Sequence, residues 1–413
     1  MAASSSMPSS NGHASTSSSS NNARVDLAHD TSPPSQLPSI SRNPSLAAAI
    51  QAIDIDTPHD SNVIRIGTRA SPLALVQANL VLNGLQALGL PYHFKLAPMS
   101  VAGDRNKVEP LYLMGGKALW TKDLEVALVE NVVDCIVHSF KDVPTVLPDG
   151  CDIAAVIERE DPRDALVVKA GRSWKTLDDL PHGSCVGSSS VRRIAQLRRK
   201  FPHLVFQDCR GNIETRLKKL DAEDGPFDAL ILASAGLLRT NQDSRITNYL
   251  SSPTMLHATG QGAIAVEIRS SDSKMRDLVS RLNHQATEWR TSCERALLRT
   301  LEGGCSVPVG VETQYLVNPC PAFKKLELRA IIVSLDGKTA IEHCEARNVK
   351  TLKEAEQLGI DVAQILIEGG GKAILEELGR IVAQKNVQGV NEQIATLEKQ
   401  RSEATQQHEM ESA

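Results

Sequence analysis

The sequence is poor in aromatic residues: three Trp, four Tyr and six Phe make up about 3% of 413 residues. Nucleic acids without a duplex are held largely by stacking bases on such rings, so few platforms for them exist here. The formal net charge of -4 likewise argues against a general nucleic-acid binder and confines any basic patch to one part of the chain. No apolar run approaches the roughly 20 residues that a bilayer-crossing helix needs, so no membrane span is expected. The eight cysteines, at 135, 151, 185, 209, 293, 305, 320 and 344, form no Cys-x-x-Cys and meet no paired His spacing. Neither zinc nor a disulfide framework is indicated, and reduced thiols in a cytoplasmic setting fit better. There is also no P-loop, no dinucleotide fingerprint, no Ser-His-Asp order, no metal-ligand cluster and no internal repeat.

What is there reads as a multidomain globular chain. At roughly 100–200 residues per domain the length suggests two or three domains, and 41% hydrophobic with 23% charged residues is close to the globular average. Residues 1–61 are rich in Ser, Asn and Pro and show neither helical nor strand period, which predicts a disordered tail. A transit peptide would be Arg-rich and acid-poor, whereas here Arg24 and Arg42 are outnumbered by Asp26, Asp30, Asp54, Asp56 and Asp60. Residues 384–413 turn Gln- and Glu-rich, a second polar tail.

Between the tails, short β-branched runs alternate with longer amphipathic stretches, the signature of α/β units. Val63 to Ile66 predicts a strand and Leu73 to Leu88 a helix, with Ser71-Pro72 at its start and Gly89 and Pro91 beyond its end. His93–Leu96, Cys135–Val137, Ala165–Val168, Leu204–Phe206 and Ala229–Leu232 are further strand candidates. Several are continuous apolar runs, suited to a mostly parallel sheet covered on both faces with functional loops beyond its strand ends. After about residue 285 the texture changes to a helix over Glu288–Leu301, a Gly-Gly-Cys loop, and a hairpin of Leu326–Val333 and Thr339–Ala346 turned at Asp336-Gly337. A last amphipathic helix over Lys353–Glu368 meets three glycines, with a shorter one after Ala373, which completes a small α+β domain.

The strongest electrostatic signal lies between Gly187 and Lys219, where nine cations face only Asp208 and Glu214, a local charge of +7. An anionic ligand is implied. Gly187-Ser188-Ser189-Ser190-Val191-Arg192-Arg193 and Arg210-Gly211-Asn212-Ile213-Glu214-Thr215-Arg216 both read as helix entries, where free N–H groups and the dipole favour anions. Arg192, Arg193, Arg210 and Arg216 are the better ligand candidates, since a guanidinium fork pairs well with carboxylates. Arg198, Arg199 and Lys200 read instead as a solvated helix face.

Asp134 to Pro144 reads as a buried strand running into a polar loop that carries Lys141 and Asp142. At a strand end Asp142 could stabilise a cation or exchange a proton, with Lys141 holding an anionic group. On local pattern alone, an Asp before Val-Pro is more often a turn former, and His138 more often a satisfied core histidine than a base. Leu301-Glu302-Gly303-Gly304-Cys305-Ser306 places one thiol on a Gly-rich loop, open to a large group as a covalent attachment point; most lone cysteines are simply packed. Residues 103–116 form a second Gly-containing loop, read either as a lid or as ordinary surface.

Taken in order, these segments resemble the porphobilinogen deaminases (hydroxymethylbilane synthases) across roughly residues 62–383. The motifs that carry the resemblance are Arg65-Ile66-Gly67-Thr68-Arg69-Ala70-Ser71-Pro72, His138-Ser139-Phe140-Lys141-Asp142-Val143-Pro144, Glu158-Arg159-Glu160-Asp161-Pro162-Arg163-Asp164, Gly187 to Arg193, Arg210-Gly211-Asn212, Gly260-Gln261-Gly262-Ala263 and Leu301 to Cys305. The resemblance implies two doubly wound lobes like those of two-lobed periplasmic binding proteins, 62–160 with 258–283 and 163–256, plus an α+β third domain, 286–383. It also implies a dipyrromethane cofactor joined to Cys305 by a thioether, four porphobilinogen units condensed on that primer with loss of ammonia, and Asp142 stabilising the cationic pyrrole. Arg69, Arg192, Arg193, Arg210, Arg216 and Arg239 would bind acetate and propionate groups, with Ser71, Lys141, Ser188, Ser190, Gly211 and Gln261 around them. A monomer is expected, its product handed to the next tetrapyrrole enzyme. Ser188 stands where the family often has Thr, and Thr259 where it has Val; neither change removes a required charge or thiol. The rival reading is a two-lobed anion-binding protein without chemistry, against which an intact Asp142 and Cys305 speak.

Overall fold

The computed structural model describes residues 62–101, 118–301, 307–316, 324–381 and 384. Its strands are β1 (Val63–Arg69), β2 (His93–Met99), β3 (Cys135–Ser139), β4 (Cys151–Val156), β5 (Asp164–Val168), β6 (Cys185–Gly187), β7 (Val205–Gln207), β8 (Ala229–Ala233), β9 (Asn248–Leu250), β10 (Ile264–Arg269), β11 (Val309–Leu316), β12 (Lys324–Val333) and β13 (Ala340–Val349). The helices are α1 (Pro72–Ala87), α2 (Ala118–Val129), α3 (Val191–Lys200), α4 (Ile213–Asp221), α5 (Ser234–Arg239), α6 (Ser273–Val279), α7 (Gln285–Thr300) and α8 (Leu352–Leu366).

Three sheets result. The first runs β2-β1-β3-β10-β4, the second β7-β6-β8-β5-β9 and the third β11-β12-β13. In the first, β1 lies parallel to β2 and β3, with Ile66 opposite Cys135. The apolar face of α1 (Ala78, Val81, Leu85) and that of α6 (Met275, Leu278) close one side, and α2 (Leu124, Ala127, Leu128) closes the other. The second sheet is closed likewise by Leu197 of α3 on one face and by Leu217, Leu220 and Leu237 of α4 and α5 on the other. Burying each such leucine contributes roughly 1.5–3 kcal/mol, which is why helices flank both faces and the chain is α/β with two doubly wound lobes. The third sheet packs one face on α7 and α8, around Leu297, Leu328, Leu358 and Leu366.

The sheets are less parallel than the apolar runs predict. β10 is antiparallel to both β3 and β4, and β5 is antiparallel to both β8 and β9. The reason is topological: β5 and β10 are the strands by which the chain enters each sheet after crossing from the other, so they run against their neighbours. The two crossing segments travel side by side, with Ile157 N–H donating to Ile264 O at 2.9 Å and Glu160 N–H to Gly262 O at 3.2 Å. Gly262 sits at φ +86°, and a Cβ there would strike the Glu160 carbonyl, so this crossing requires glycine. The hairpin turn at Gly337 (φ +78°) rests on α3, where a Cβ would lie 2.7 Å from Arg199 N.

That contact revises the reading of the α3 C-terminus. Arg198 donates to Leu335 O at 2.9 Å, Arg199 to Lys338 O at 3.2 Å and Lys200 to Thr254 Oγ1 at 2.6 Å. These cations are exposed, yet they tie the hairpin and the returning chain to the helix rather than only facing solvent.

Candidate active site

A cleft of about 760 Å³ collects residues from the strand ends and helix starts of both large sheets. Ser71 precedes α1 and Ser190 precedes α3; each is extended, at the N-cap position, and neither hydroxyl makes a capping hydrogen bond. Both line the cleft. Asn212 does cap its helix, α4, its side chain accepting Thr215 N–H at 2.8 Å.

Beyond β3 the chain makes a single 3₁₀ turn, Phe140–Asp142. Phe140 N–H donates to Ala263 O at 3.0 Å, and Ser139 Oγ donates to Gln77 Oε1 on α1 at 2.9 Å. The turn presents Lys141 and Asp142 to the cleft. Burial pushes the Lys141 ammonium down to about 8; Asp142 opposes that and Arg193 adds to it. Among the described residues the Asp142 carboxylate makes no hydrogen bond or ion pair; Lys141 and Arg216 are cations near enough to feel its charge. His138, on β3, is buried with Nε2 2.9 Å from Glu267 Oε2, in keeping with a core histidine.

Across the cleft, one buried carboxylate orients three side chains. Asp164 Oδ2 accepts Arg192 Nη1 at 2.7 Å, and Oδ1 accepts Arg193 Nε at 3.0 Å and Gln261 Nε2 at 2.9 Å. Arg192 also donates to Leu256 O at 2.6 Å and Arg193 to Ile231 O at 2.8 Å. Burial alone would raise the Asp164 acid, but Arg192 and Arg193 hold it well below the carboxylate range. Two guanidiniums share one negative charge, so the cluster stays cationic toward the cleft; Arg193, pushed down to about 10 by burial, is still charged at neutral pH. Around it, Arg216 Nε donates to Gly211 O at 2.7 Å, Arg239 Nη2 to Gly262 O at 2.7 Å and Arg210 Nε to Asp208 Oδ2 at 2.7 Å. Arg69 lies over the Trp120 ring, 4.3 Å from its centroid.

The cleft thus brings together Arg69, Ser71, Lys141, Asp142, Ser190, Arg192, Arg193, Arg210, Gly211, Arg216, Arg239 and Gln261. Ser188 is not among its lining: it is buried, and its Oγ accepts Ser190 N–H at 3.3 Å, while Ser189 reaches the cleft and donates to Cys209 O at 2.8 Å. Ser188 follows directly on β6 and turns its hydroxyl inward to the Ser190 N–H. Cys305 and the loop 103–116 lie outside the described residues; Leu298 and Val307, either side of the cysteine loop, line the cleft. Sequence reading missed Gln77, Ser139, Trp120 and the orienting role of Asp164. An Asp opening the apolar run Ala165–Val168 was the available signal for the last, and a rare Trp beside a Gly-rich loop for Trp120. No group of three metal-ligating side chains occurs among the described residues.

Comparison with known proteins identifies the family. Residues 64–277 match the family model for the porphobilinogen deaminase dipyromethane cofactor binding domain, and residues 289–368 match that for the porphobilinogen deaminase C-terminal domain. The chain belongs to the porphobilinogen deaminase family. It is 49% identical over 318 residues to the porphobilinogen deaminase of Yarrowia lipolytica, covering 76% of this chain and 92% of that one. Identity is 48% over 323 residues to the Neurospora crassa enzyme and 45% over 320 to that of Saccharomyces cerevisiae, covering 93% and 97% of those chains and 76% of this one in both cases. Among solved structures, the Bordetella pertussis BvgS periplasmic VFT2 domain aligns at 13% identity with a TM-score of 0.34, over 57% of this chain and 91% of its own. A family whose first domain is described by its cofactor disfavours the reading of the cleft as a binding site without chemistry. Among the described residues no helix is long and apolar enough to cross a membrane.

Proposed function

We propose that this cleft joins four porphobilinogen molecules head to tail on a dipyrromethane primer carried by Cys305 through a thioether, releasing ammonia at each addition and, as water cleaves the finished tetrapyrrole from the primer, hydroxymethylbilane at the end, as a transferase. The observation that carries this reading is Asp142: a carboxylate free of hydrogen bonds and ion pairs with the described residues, facing a cleft whose other charges are mostly cations. The donor set fits a pyrrole oligomer, since acetate and propionate groups call for guanidinium forks and Arg69, Arg192, Arg193, Arg210, Arg216 and Arg239 all reach the lining. Bound there, the dipyrromethane group supplies the free pyrrole carbon from which the chain grows.

The residues then divide the work. Arginines fix the ring substituents and so the approach of the reacting carbons. When the C–N bond of the aminomethyl group breaks and ammonia leaves, positive charge spreads over the substrate pyrrole, and the Asp142 carboxylate lowers the energy of that charge in a partly water-excluded site. Asp142 is placed to take the proton that the attacking pyrrole carbon sheds as the new C–C bond forms. Lys141 holds a carboxylate beside it. Strand membership in three separate sheets supports a division into 62–160 with 258–283, 163–256 and 286–383, flanked by the tails 1–61 and 384–413. The free thiols of Cys135, Cys151, Cys185, Cys209, Cys293 and Cys344 support a reducing, cytoplasmic setting for a monomer that passes its product to the next tetrapyrrole enzyme.

Intact-protein mass spectrometry of wild type and Cys305→Ser, before and after porphobilinogen, tests the reading. A dipyrromethane-sized excess on wild type alone, followed by further pyrrole steps, is expected. A wild type that stays unmodified after reconstitution with the tetrapyrrole product would leave the fold without this chemistry.

A further inference from the structure

The turn that presents Lys141 and Asp142 is fixed almost wholly through its backbone. Its N-terminal side hangs on the Phe140 N–H to Ala263 O bond, and the Gly260 backbone packs flat against the Phe140–Lys141 peptide, 3.3 Å from Lys141 N to a would-be Cβ. Its C-terminal side is held by one side chain from another domain. Arg295 on α7 donates through Nη1 to Val143 O at 3.0 Å and through Nη2 to Pro144 O at 2.5 Å, and its guanidinium lies 4.5 Å from the centroid of the Phe140 ring.

This arrangement is costly. Arg295 is only 8% exposed, yet among the described residues no carboxylate pairs with it, whereas the buried Arg159, Arg192 and Arg193 all have one. Burial pushes its guanidinium down to about 10, so it remains a cation at neutral pH. A buried cation held by carbonyl oxygens and a ring face rather than by an ion pair is retained where the geometry it imposes matters. Here that geometry is the position of the turn relative to α7, whose C-terminal end at Thr300 leads into the loop bearing Cys305.

We propose that Arg295 is a positioning residue for the condensation: its fork locks the two carbonyls after Asp142 to α7, and so sets the Asp142 carboxylate against the chain carried by the loop at the end of that helix. The inference rests on the function proposed above. Because Arg295 does not itself line the cleft, its loss should leave anion binding intact while letting Asp142 drift. Displacements on the order of 1 Å from the productive geometry cost about a hundredfold in rate.

The test uses the full chain as wild type, Arg295→Gln and Arg295→Lys, reading primer loading by intact mass, kcat and KM for porphobilinogen, and the thermal midpoint. Arg295→Gln should load its primer and keep its KM within about twofold while kcat falls roughly ten- to a hundredfold. Arg295→Lys, with charge but no fork, should recover part of that loss and not all. A kcat within about twofold of wild type in Arg295→Lys and Arg295→Gln, or parallel losses of loading, KM and kcat, would overturn the assignment. Should Arg295→Gln fail to fold, Arg295→Lys decides alone, and wild-type kcat there rejects the role of the fork. A wild type carrying no pyrroles and turning nothing over would instead sink the proposed function.

Discussion

Arg159 and Glu294 meet as fork and carboxylate, Nη1 to Oε1 at 2.7 Å and Nη2 to Oε2 at 3.0 Å, with side chains 2% and 0% exposed. Arg159 belongs to the first crossing segment and Glu294 to α7. Glu294 also accepts Gly260 N–H of the second crossing at 2.8 Å and Thr313 Oγ1 of β11 at 2.5 Å, and Arg159 Nε donates to Gln261 O at 2.8 Å. One ion pair therefore joins both crossings to the C-terminal domain.

Glu294→Gln should destabilise the protein by about 3–5 kcal/mol, because it strands a buried guanidinium rather than removing a pair. Burial would raise the Glu294 acid, but Arg159, His257 and Thr313 bring it down from 4.5 to about 2. A depressed acid contributes stability that is present above its ordinary value, so this contribution is lost as pH falls from 4.5 toward 2. Urea unfolding of both proteins at pH 7 and pH 3 checks it. A difference under about 1 kcal/mol at pH 7 would mean the pair adds nothing.

Lys141 predicts an alkaline limb. With its ammonium brought down to about 8, the residue loses its charge as pH rises through that value, and with it a partner for a substrate carboxylate. The KM for porphobilinogen should climb about tenfold per pH unit at most above pH 8, and Lys141→Arg, charged throughout, should flatten that climb whatever its kcat. An identical KM profile in the variant would assign the limb to another group.

Glu125 predicts the opposite sign in stability. Burial, with Glu267 beside it, raises its acid from 4.5 to about 7, so the folded state keeps a proton that the unfolded state gives up. Stability from this group is complete below pH 4.5 and is lost as pH rises through about 7. Glu125→Gln should accordingly stabilise the protein at pH 8 by on the order of 2 kcal/mol and do little at pH 5. Thermal midpoints at the two pH values decide it, and equal shifts at both would show that no proton is trapped there.

Much of the fold was legible because its signals are local. Pro72 after Ser71 announces α1, and the apolar runs Ala165–Val168 and Ala229–Leu232 are β5 and β8. β4, β10 and β11 escaped notice: their apolar residues are interrupted, and β9 spans only Asn248–Leu250. The hairpin and the parallel pairs followed from local signals, but the reversed directions of β5 and β10 were not legible, since they follow from where the chain crosses between sheets. In the site, the excess of cations between Gly187 and Lys219 was plain, but which of them face the cleft was not. Arg198 and Arg199 went to hairpin carbonyls because a glycine far along the chain, Gly337, lets that turn approach α3.

The sequence by itself determined the charge inventory, the order of motifs and hence the family, because these depend only on which residues are present and at what spacing. Only the tertiary structure decided that Asp164 orients Arg192, Arg193 and Gln261, that Ser188 turns inward while Ser189 faces the cleft, and that Arg295 holds the turn bearing Asp142. Each of these depends on hydrogen-bond partners from distant segments, and a buried charge can choose its partner only after the surrounding core has excluded water.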